Sequence, residues 1–372
     1  MQKNYQQQTL GILGGGQLGR MLIQSAIDYN LEVHILDPDP NAPCKYLSNN
    51  FVNGDLKDFD AVYNFGKNCD VISIEIEHVN TEALLRLEEE GKKVFPQPHI
   101  IALIQDKRSQ KQFYLDQGIP TSPFILKRNA EFLPAVNKLG KEGYDGRGVQ
   151  MMRNADDLEK AFDAPGLLEK LIDFDKELAV IVSRNEAGEV KSFPSVECAF
   201  HPEHNLVEFL FSPANISPEV DAKARELAEE VIQKLDMVGL LAVEMFLTKD
   251  GELLVNEIAP RPHNSGHHTI EANYTSQFEQ HLRSIMGMPL GDTALLCPAA
   301  MVNLLGEDGF TGEAIVEGMD EALKEKGVYL HLYGKKITKP FRKMGHVTIL
   351  ADEPSQLKEK AERIKELIKI KA

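Results

Sequence analysis

The chain has no apolar run approaching the roughly 20 residues that span a bilayer. A membrane-embedded function is therefore not expected. Cysteine is scarce: Cys44, Cys69, Cys198 and Cys297 are widely scattered and show no C-x-x-C spacing. That sets aside a disulfide framework and a thiolate zinc site, and the thiols read as reduced groups of a cytoplasmic protein. The opening residues, MQKNYQQQT, lack both a basic stretch and an apolar core, so no secretory leader is expected. Positive charge is in deficit, with 41 Lys and Arg against 57 Asp and Glu and a formal net charge of −16. Nucleic acids and anionic membrane surfaces attract basic proteins, so neither is an expected partner. Small anionic substrates stay open, because a local cationic cluster can oppose the global sign.

At 372 residues and 42% hydrophobic, the chain can fill two or three domains. Strand and helix patterns alternate over residues 1–97: strands at 10–13, 33–36, 71–74 and 93–95, helices at 20–29 and from Thr81, its candidate N-cap. Alternation of this kind predicts a parallel α/β layer. One helix is expected over 100–117, stopped by Gly118 and Pro120. Closely spaced strands follow (167–171, 178–183, 190–198, 207–211), then a helix at 218–235. Strands 240–248 and 252–258 flank Lys249-Asp250-Gly251, a hairpin turn signal. A third piece, 291–372, has strands at 300–304, 328–332 and 346–349 and a charged helix from Ser355.

Five stretches carry chemistry. Gly14-Gly15-Gly16-Gln17-Leu18-Gly19 fits G-x-G-x-x-G between strand and helix, with Asp37 closing the next strand. Bare N–H groups at a helix N-terminus suit a phosphate. The dinucleotide version would use Asp37 on a ribose, and a tight turn without ligand is also open. Glu244 and Glu257 stand at matching positions on the two hairpin arms, inside apolar strands. Facing carboxylates repel unless a divalent cation lies between them; the alternative is a solvated hairpin face. Asn256 would point to the opposite face under regular pairing, unless a local twist brings it in. Glu142–Gly148 (EGYDGRG), after Lys138 and Lys141, reads as a flap over a polyphosphate or as an ordinary loop. Glu169-Lys170-Leu171-Ile172, followed by Glu177, offers a hinge for adenine and a carboxylate for ribose, though a surface strand reads as well. Residues 259–268 and 335–346 concentrate Arg, Lys and His in an acidic chain, which calls for an anion more than for zinc; solvated faces are the alternative.

Taken in this order, the features resemble the ATP-grasp superfamily, and within it the 5-(carboxyamino)imidazole ribonucleotide synthases. The resemblance rests on Gly14–Arg20 (GGGQLGR), Glu75-Ile76-Glu77, Gly143–Gly148 (GYDGRG), Asn256–His267 (NEIAPRPHNSGH) and Arg342–His346 (RKMGH). It covers nearly all of the chain after about residue 9. It implies an α/β and α+β architecture: a parallel α/β pre-grasp domain (1–97), an ATP-grasp domain (98–290) and a small C-terminal domain (291–372) completing the acceptor site. The implied reaction is carboxylation of 5-aminoimidazole ribonucleotide with ATP and bicarbonate, by way of carboxyphosphate, in de novo purine (IMP) synthesis. The implied cofactors are ATP and Mg2+, with Mn2+ able to substitute. A homodimer is implied because dimers are common in the family.

Carried over residue by residue, the resemblance puts Lys107, Lys138, Gly143, Gly146, Gly148, Glu169, Lys170, Ile172, Glu177, His201, Asn256 and Glu257 around ATP, with His204 a rival to His201. Lys107 stands where the family usually has an arginine, and Glu142 replaces the first glycine of the common GGYDG run. Glu244 and Glu257 would hold the metal. Tyr144, Asp145, Arg147 and His267 would be catalytic, the first three around bicarbonate and its phosphorylated form. Gly16, Gln17, Leu18, Glu75, His267, Lys335, Arg342 and Lys343 would hold the ribonucleotide. Rival readings are another ATP-grasp ligase, such as a folate-independent glycinamide ribonucleotide transformylase or a biotin-dependent carboxylase, an NAD-dependent oxidoreductase, and a nucleotide-binding regulator. The oxidoreductase leaves the carboxylate hairpin and RKMGH unexplained, and the intact acidic pair argues against a degenerate regulator.

Overall fold

The computed structural model describes residues 4–126, 129–141, 143, 148–200 and 207–372. Glu142, Tyr144, Asp145, Gly146 and Arg147 of the expected flap, and His201 and His204, lie outside the described residues.

The first unit is a parallel sheet of β1 (Thr9–Leu13), β2 (Glu32–Asp37), β3 (Asn50–Asn53), β4 (Val71–Ile74) and β5 (Lys93–Val94), in the order β3-β2-β1-β4-β5. All of β4, and β1 from Leu10 onward, is buried, as expected of apolar strands covered on both faces. The strand order reverses at β1. The crevice between the C-terminal ends of β1 and β4 is thus the place where such sheets bind ligands. Three helices accompany these strands: α1 (Gln17–Asp28), α2 (Phe59–Gly66) and α3 (Thr81–Glu89). The cap of α3 is Asn80 rather than Thr81; its Oδ1 accepts the Ala83 N–H at 2.8 Å.

The helix expected over 100–117 is two helices, α4 (Pro98–Ile104) and α5 (Lys107–Asp116). The break has local causes. Asp106 caps α5 by accepting the Arg108 N–H, and the Lys107 N–H is taken by Gly140 O at 2.7 Å. A small antiparallel sheet follows, made of β6 (Phe124–Ile125), β7 (Ala135–Leu139), β8 (Val149–Met152) and β9 (Gly166–Lys170), ordered β6-β9-β7-β8.

The large sheet begins with β10 (Phe174–Arg184), β11 (Val190–Ser192), β12 (Val196–Phe200) and β13 (Val207–Ser212). The single strand expected over 190–198 is therefore two, parted at Phe193-Pro194-Ser195, where proline cannot donate to a ladder. Next come α6 (Pro218–Lys234), β14 (Gly239–Thr248), β15 (Leu253–Ala259), α7 (Thr269–Ala272) and α8 (Gln277–Ile285). The third segment contributes β16 (Ala299–Leu305), β17 (Gly312–Glu313), β18 (Ile315–Glu317), α9 (Met319–Ala322), β19 (Val328–Leu332), β20 (Ile337–Thr338), β21 (Lys343–Leu350), α10 (Leu357–Leu367) and β22 (Lys369–Lys371). Among the described residues, β16, β21 and β19 extend the same sheet, which runs β15-β14-β10-β12-β13-β16-β21-β19 with β11 beside β10.

The units share cores. Leu18, Leu22 and Ile23 of α1 pack with Phe278, Leu282 and Ile285 of α8, all buried. Full burial of each such side chain is worth about 1.5–3 kcal/mol. The polar crevice of the first sheet is thereby fixed against the part of the chain that carries α8 and the large sheet.

Candidate functional site

The β14–β15 hairpin sets Glu244 directly opposite Glu257. The register then slips: Met245 pairs with Val255, leaving Asn256 as the extra residue of a β-bulge. Regular alternation would turn Asn256 to the far face. With the bulge, its Oδ1 accepts from Lys138 Nζ at 2.9 Å. Lys138 lies diagonally across from Glu169 on the neighbouring strand and also donates to Glu169 Oε2, at 3.0 Å. Lys107, placed by the break between α4 and α5, donates to Glu257 Oε2 at 2.6 Å.

Charge follows this geometry. The Lys107 ammonium holds the Glu257 carboxyl well below the ordinary carboxylate range. Glu244 is pushed up, first by burial and then by the charge of Glu257. Glu177 on β10 is pushed up to about 7 by burial. Two facing carboxylates beside an amide oxygen form a hard-oxygen donor set that suits a divalent cation, whose charge would relieve the strain on Glu244. Among the described residues, no group of three or more His, Cys, Asp or Glu is placed to hold a metal ion. The pair fits a Mg2+ site, because that ion uses one or two carboxylates and takes its other ligands from phosphates and water.

Other expected nucleotide residues fall differently. Glu169 is 3% exposed, and its carboxylate faces Lys138 and Lys111, so only its backbone is available to an adenine. The Lys170 ammonium donates to the carbonyls of Phe132 and Leu133 at 3.2 and 3.3 Å, tethering that loop. Ile172 is half-buried just past β9. Gly148 takes φ +72°, and a Cβ there would sit 3.0 Å from Gly143 Cα, so the close approach of the two flap ends needs this glycine.

On the other side, Asp37 accepts the Gly15 N–H at 2.6 Å and the Asp39 N–H at 2.7 Å. Its carboxylate anchors the glycine loop, where a dinucleotide ribose would need it free. Glu75, at the end of β4, accepts the Leu18 N–H at 3.1 Å, and burial raises its pKa. A Cβ on Gly16 would meet Glu75 Oε1 at 2.5 Å. Lys335 reaches across from the third segment and donates to Gln17 Oε1 at 2.6 Å and to Lys343 O at 2.7 Å. The charge of Lys343 acts on both Glu244 and His267. The Arg342 guanidinium donates to Ile337 O within its own loop. Arg261, four residues past Glu257, pairs with Glu77 at 2.9 Å and joins the two halves.

His267 is fully enclosed, with ring centroids 4.7 Å from His346 and 5.8 Å from Phe278. Burial keeps it neutral. Its tautomer is set by Gln277: Oε1 of that amide accepts the His263 N–H, so Nε2 donates to His263 O at 2.7 Å and to His267 Nδ1 at 3.0 Å. The ring hydrogen of His267 therefore sits on Nε2. The motif HNSGH gave no sign of this enclosure.

The network thus brings together Lys107, Lys138, Glu169, Glu244, Asn256 and Glu257 on one side, and Gly16, Gln17, Leu18, Glu75, Lys335 and Lys343 on the other. Sequence reasoning missed Lys111, the Glu77 pairing and Gln277. Only Lys111 left a signal, four residues after Lys107 and so on the same helical face.

Three family models match the chain: a ribonucleotide synthetase preATP-grasp domain over residues 7–105, an ATP-grasp domain over 116–278, and a phosphoribosylaminoimidazole carboxylase C-terminal domain over 299–360. A chloroplastic phosphoribosylaminoimidazole carboxylase of Vigna aconitifolia is 39% identical over 94% of this chain. The chain spans 65% of that relative's length. The N5-carboxyaminoimidazole ribonucleotide synthase of Bacillus subtilis is 39% identical, the match covering 92% of this chain and 91% of the relative. A solved N5-carboxyaminoimidazole synthase of Aspergillus clavatus, in complex with ADP and 5-aminoimidazole ribonucleotide, superposes with a TM-score of 0.88 at 34% identity, over 98% of this chain and 99% of that one. With its pre-grasp sheet, ATP-grasp unit and matching third segment, the chain belongs to the N5-carboxyaminoimidazole ribonucleotide synthase family of ATP-grasp proteins.

Proposed function

We propose that the chain carboxylates the exocyclic amine of 5-aminoimidazole ribonucleotide, using ATP and bicarbonate and releasing ADP and phosphate, in purine synthesis. The observation that carries this reading is the meeting of the Glu244–Glu257 pair with Lys107 and Lys138, with Arg261 reaching Glu77 two residues past Glu75, which accepts the Leu18 N–H of the glycine loop. Two polar sites, one suited to a triphosphate and one to a ribonucleotide, lie on either side of that link. The Aspergillus relative with ADP and aminoimidazole ribonucleotide supports the same pairing of ligands.

In this reading a bicarbonate oxygen attacks the γ-phosphorus of ATP, ADP leaves, and carboxyphosphate forms. Lys138 and Lys107 offset the charge of the transferring phosphate. Mg2+ held by Glu244 and Glu257 would neutralise the remaining phosphate charge, and Mn2+ has the same donor preference. The aminoimidazole nitrogen then bonds to the carboxyl carbon, directly or after release of CO2. The C–O bond to phosphate breaks, and the nitrogen loses a proton. Free carboxyphosphate would hydrolyse, so closure against water is part of the chemistry. We assign Tyr144, Asp145 and Arg147 to bicarbonate and Glu177 to the ATP ribose. Gly16, Gln17, Leu18, Glu75, Lys335 and Lys343 go to the acceptor. We take the units as 1–97, 98–290 and 291–372, and the assembly as a homodimer. No helix among the described residues is long and apolar enough to cross a membrane, and four cysteines outside any disulfide fit a reducing compartment such as the cytoplasm.

The test is ADP release with bicarbonate, with and without aminoimidazole ribonucleotide, alongside detection of the carboxylated ribonucleotide. Turnover should need both, with one ADP per product. ADP release indifferent to the ribonucleotide would overturn the reading.

A further inference from the structure

Behind the candidate ATP site lies a cation that no part of the reaction uses. Lys111, on α5, is 1% exposed. Its Nζ donates to Thr121 Oγ1 at 2.6 Å and lies 3.4 Å from Glu169 Oε2. Thr121 passes its own hydrogen to Val255 O on β15 at 2.6 Å, so one oxygen ties the lysine to the carboxylate hairpin. Glu169 Oε2 receives Lys138 as well, at 3.0 Å.

An ammonium has three hydrogens to give. Lys138 has two of them engaged, with Glu169 and with Asn256. That fixes the direction of the third. Glu169 aims Lys138 only while its carboxylate is held in place, and at 3% exposure little water can hold it. A second cation at its back, 3.4 Å away, does so. Lys111 also lies over the Tyr114 ring, 5.8 Å from the centroid, which restricts its stem.

We propose that Lys111, which is too enclosed to touch ATP, is a positioning residue for it: Lys111 fixes Glu169, and Glu169 aims Lys138 at the phosphates. Glu169 is thereby a positioning residue too, in place of the adenine contact its motif suggests. The inference rests on the reading of Lys138 as the phosphate lysine, and the experiment separates the two.

The probe is ATP itself, titrated calorimetrically into the full chain with Mg2+, for Lys111→Met, Lys138→Met and the double variant. The expected result is a ten- to hundredfold rise in the Kd for ATP in each single variant, and no further rise when Lys111→Met is added to Lys138→Met. The KM for the ribonucleotide should stay within twofold in Lys111→Met. Equal losses from Lys111→Met in both backgrounds would show a general packing role and overturn the proposal, as would a wild-type Kd in Lys111→Met. A wild-type Kd in Lys138→Met would instead overturn the reading of Lys138. Should Lys111→Met fail to fold, Glu169→Gln replaces it in the same cycle with the same outcomes, since it keeps the shape and removes the charge.

Discussion

Glu257→Gln should separate activity from stability. The substitution keeps volume and removes one charge. In the resting protein that charge has two opposing roles. Its ion pair with Lys107, at 2.6 Å, is open to water, with the Glu257 side chain 42% exposed; such pairs contribute about 0–1 kcal/mol. Against this stands repulsion with Glu244, directly opposite. Facing side chains have Cβ atoms about 5 Å apart, where two unit charges repel by roughly 3 kcal/mol at an effective dielectric of about 20. That is an upper figure, because Glu244 relieves it by holding its proton. The resting fold should therefore be as stable as wild type, or more so. Activity should move the other way. A lost interaction with a charged partner costs about 1.5–3 kcal/mol, or roughly ten- to a hundredfold in rate at about 1.4 kcal/mol per tenfold. The assay is ADP release across a Mg2+ titration, with thermal unfolding of the same sample. Near-normal turnover at moderate Mg2+ would refute the metal reading. A large fall in Tm would refute the account of the pair as mutually repelling.

Three further outcomes follow from the same geometry. Gly16→Val drives a side chain into the Glu75 carboxylate, 2.5 Å from the new Cβ, and should raise the KM for the ribonucleotide far more than that for ATP; micromolar NAD binding lost in the same variant would favour the dinucleotide reading. Lys343→Ala tests the assignment of that lysine to the acceptor: losing a charge-assisted contact costs about 1.5–3 kcal/mol, so kcat/KM for the ribonucleotide should fall about ten- to a hundredfold with ATP binding unchanged, whereas a solvated lysine would give no effect. For Glu177, raised from 4.5 to about 7 by burial, the unfolded chain ionises first as pH rises, so wild type loses stability from this group between those values and no more above them. Glu177→Gln should therefore gain Tm relative to wild type from pH 4.5 to 7 and hold the gain above; a pH-independent difference would contradict the shift.

The carboxylate pair was legible because Lys249-Asp250-Gly251 fixes a hairpin, and a hairpin fixes which residues face each other. The bulge at Asn256 was not, since a one-residue slip leaves no mark in the apolar alternation of β15. The five strands around β1 were mostly readable from their apolar runs, apart from β3, whose apolar part is only Phe51-Val52 between two asparagines. The small sheet β6–β8 was missed for a similar reason: Phe124–Ile125 is two residues long, and Asn137 and Lys138 interrupt the pattern of β7. The split of 100–117 turned on Asp106 capping the start of α5 and on Gly140 taking the Lys107 N–H, a partner more than 30 residues away. Glu169 shows the limit of a motif. Its place on a strand, β9, was right, but which way the carboxylate turned depended on lysines from two other elements.

Because β13 pairs with β16, the third segment continues the hydrogen-bond ladder of the ATP-grasp unit, with Phe209 opposite Val302 and Phe211 opposite Ala300. A chain lacking that segment would be left with a bare, aromatic strand edge, the kind of surface that recruits strands from other molecules. Limited proteolysis between 290 and 299 should thus leave the two fragments associated, and forcing them apart in denaturant should bring aggregation on dilution. Lys335 and Lys343, assigned above to the acceptor, travel with the segment whose β16 covers that edge, so losing the segment would cost solubility along with ribonucleotide binding.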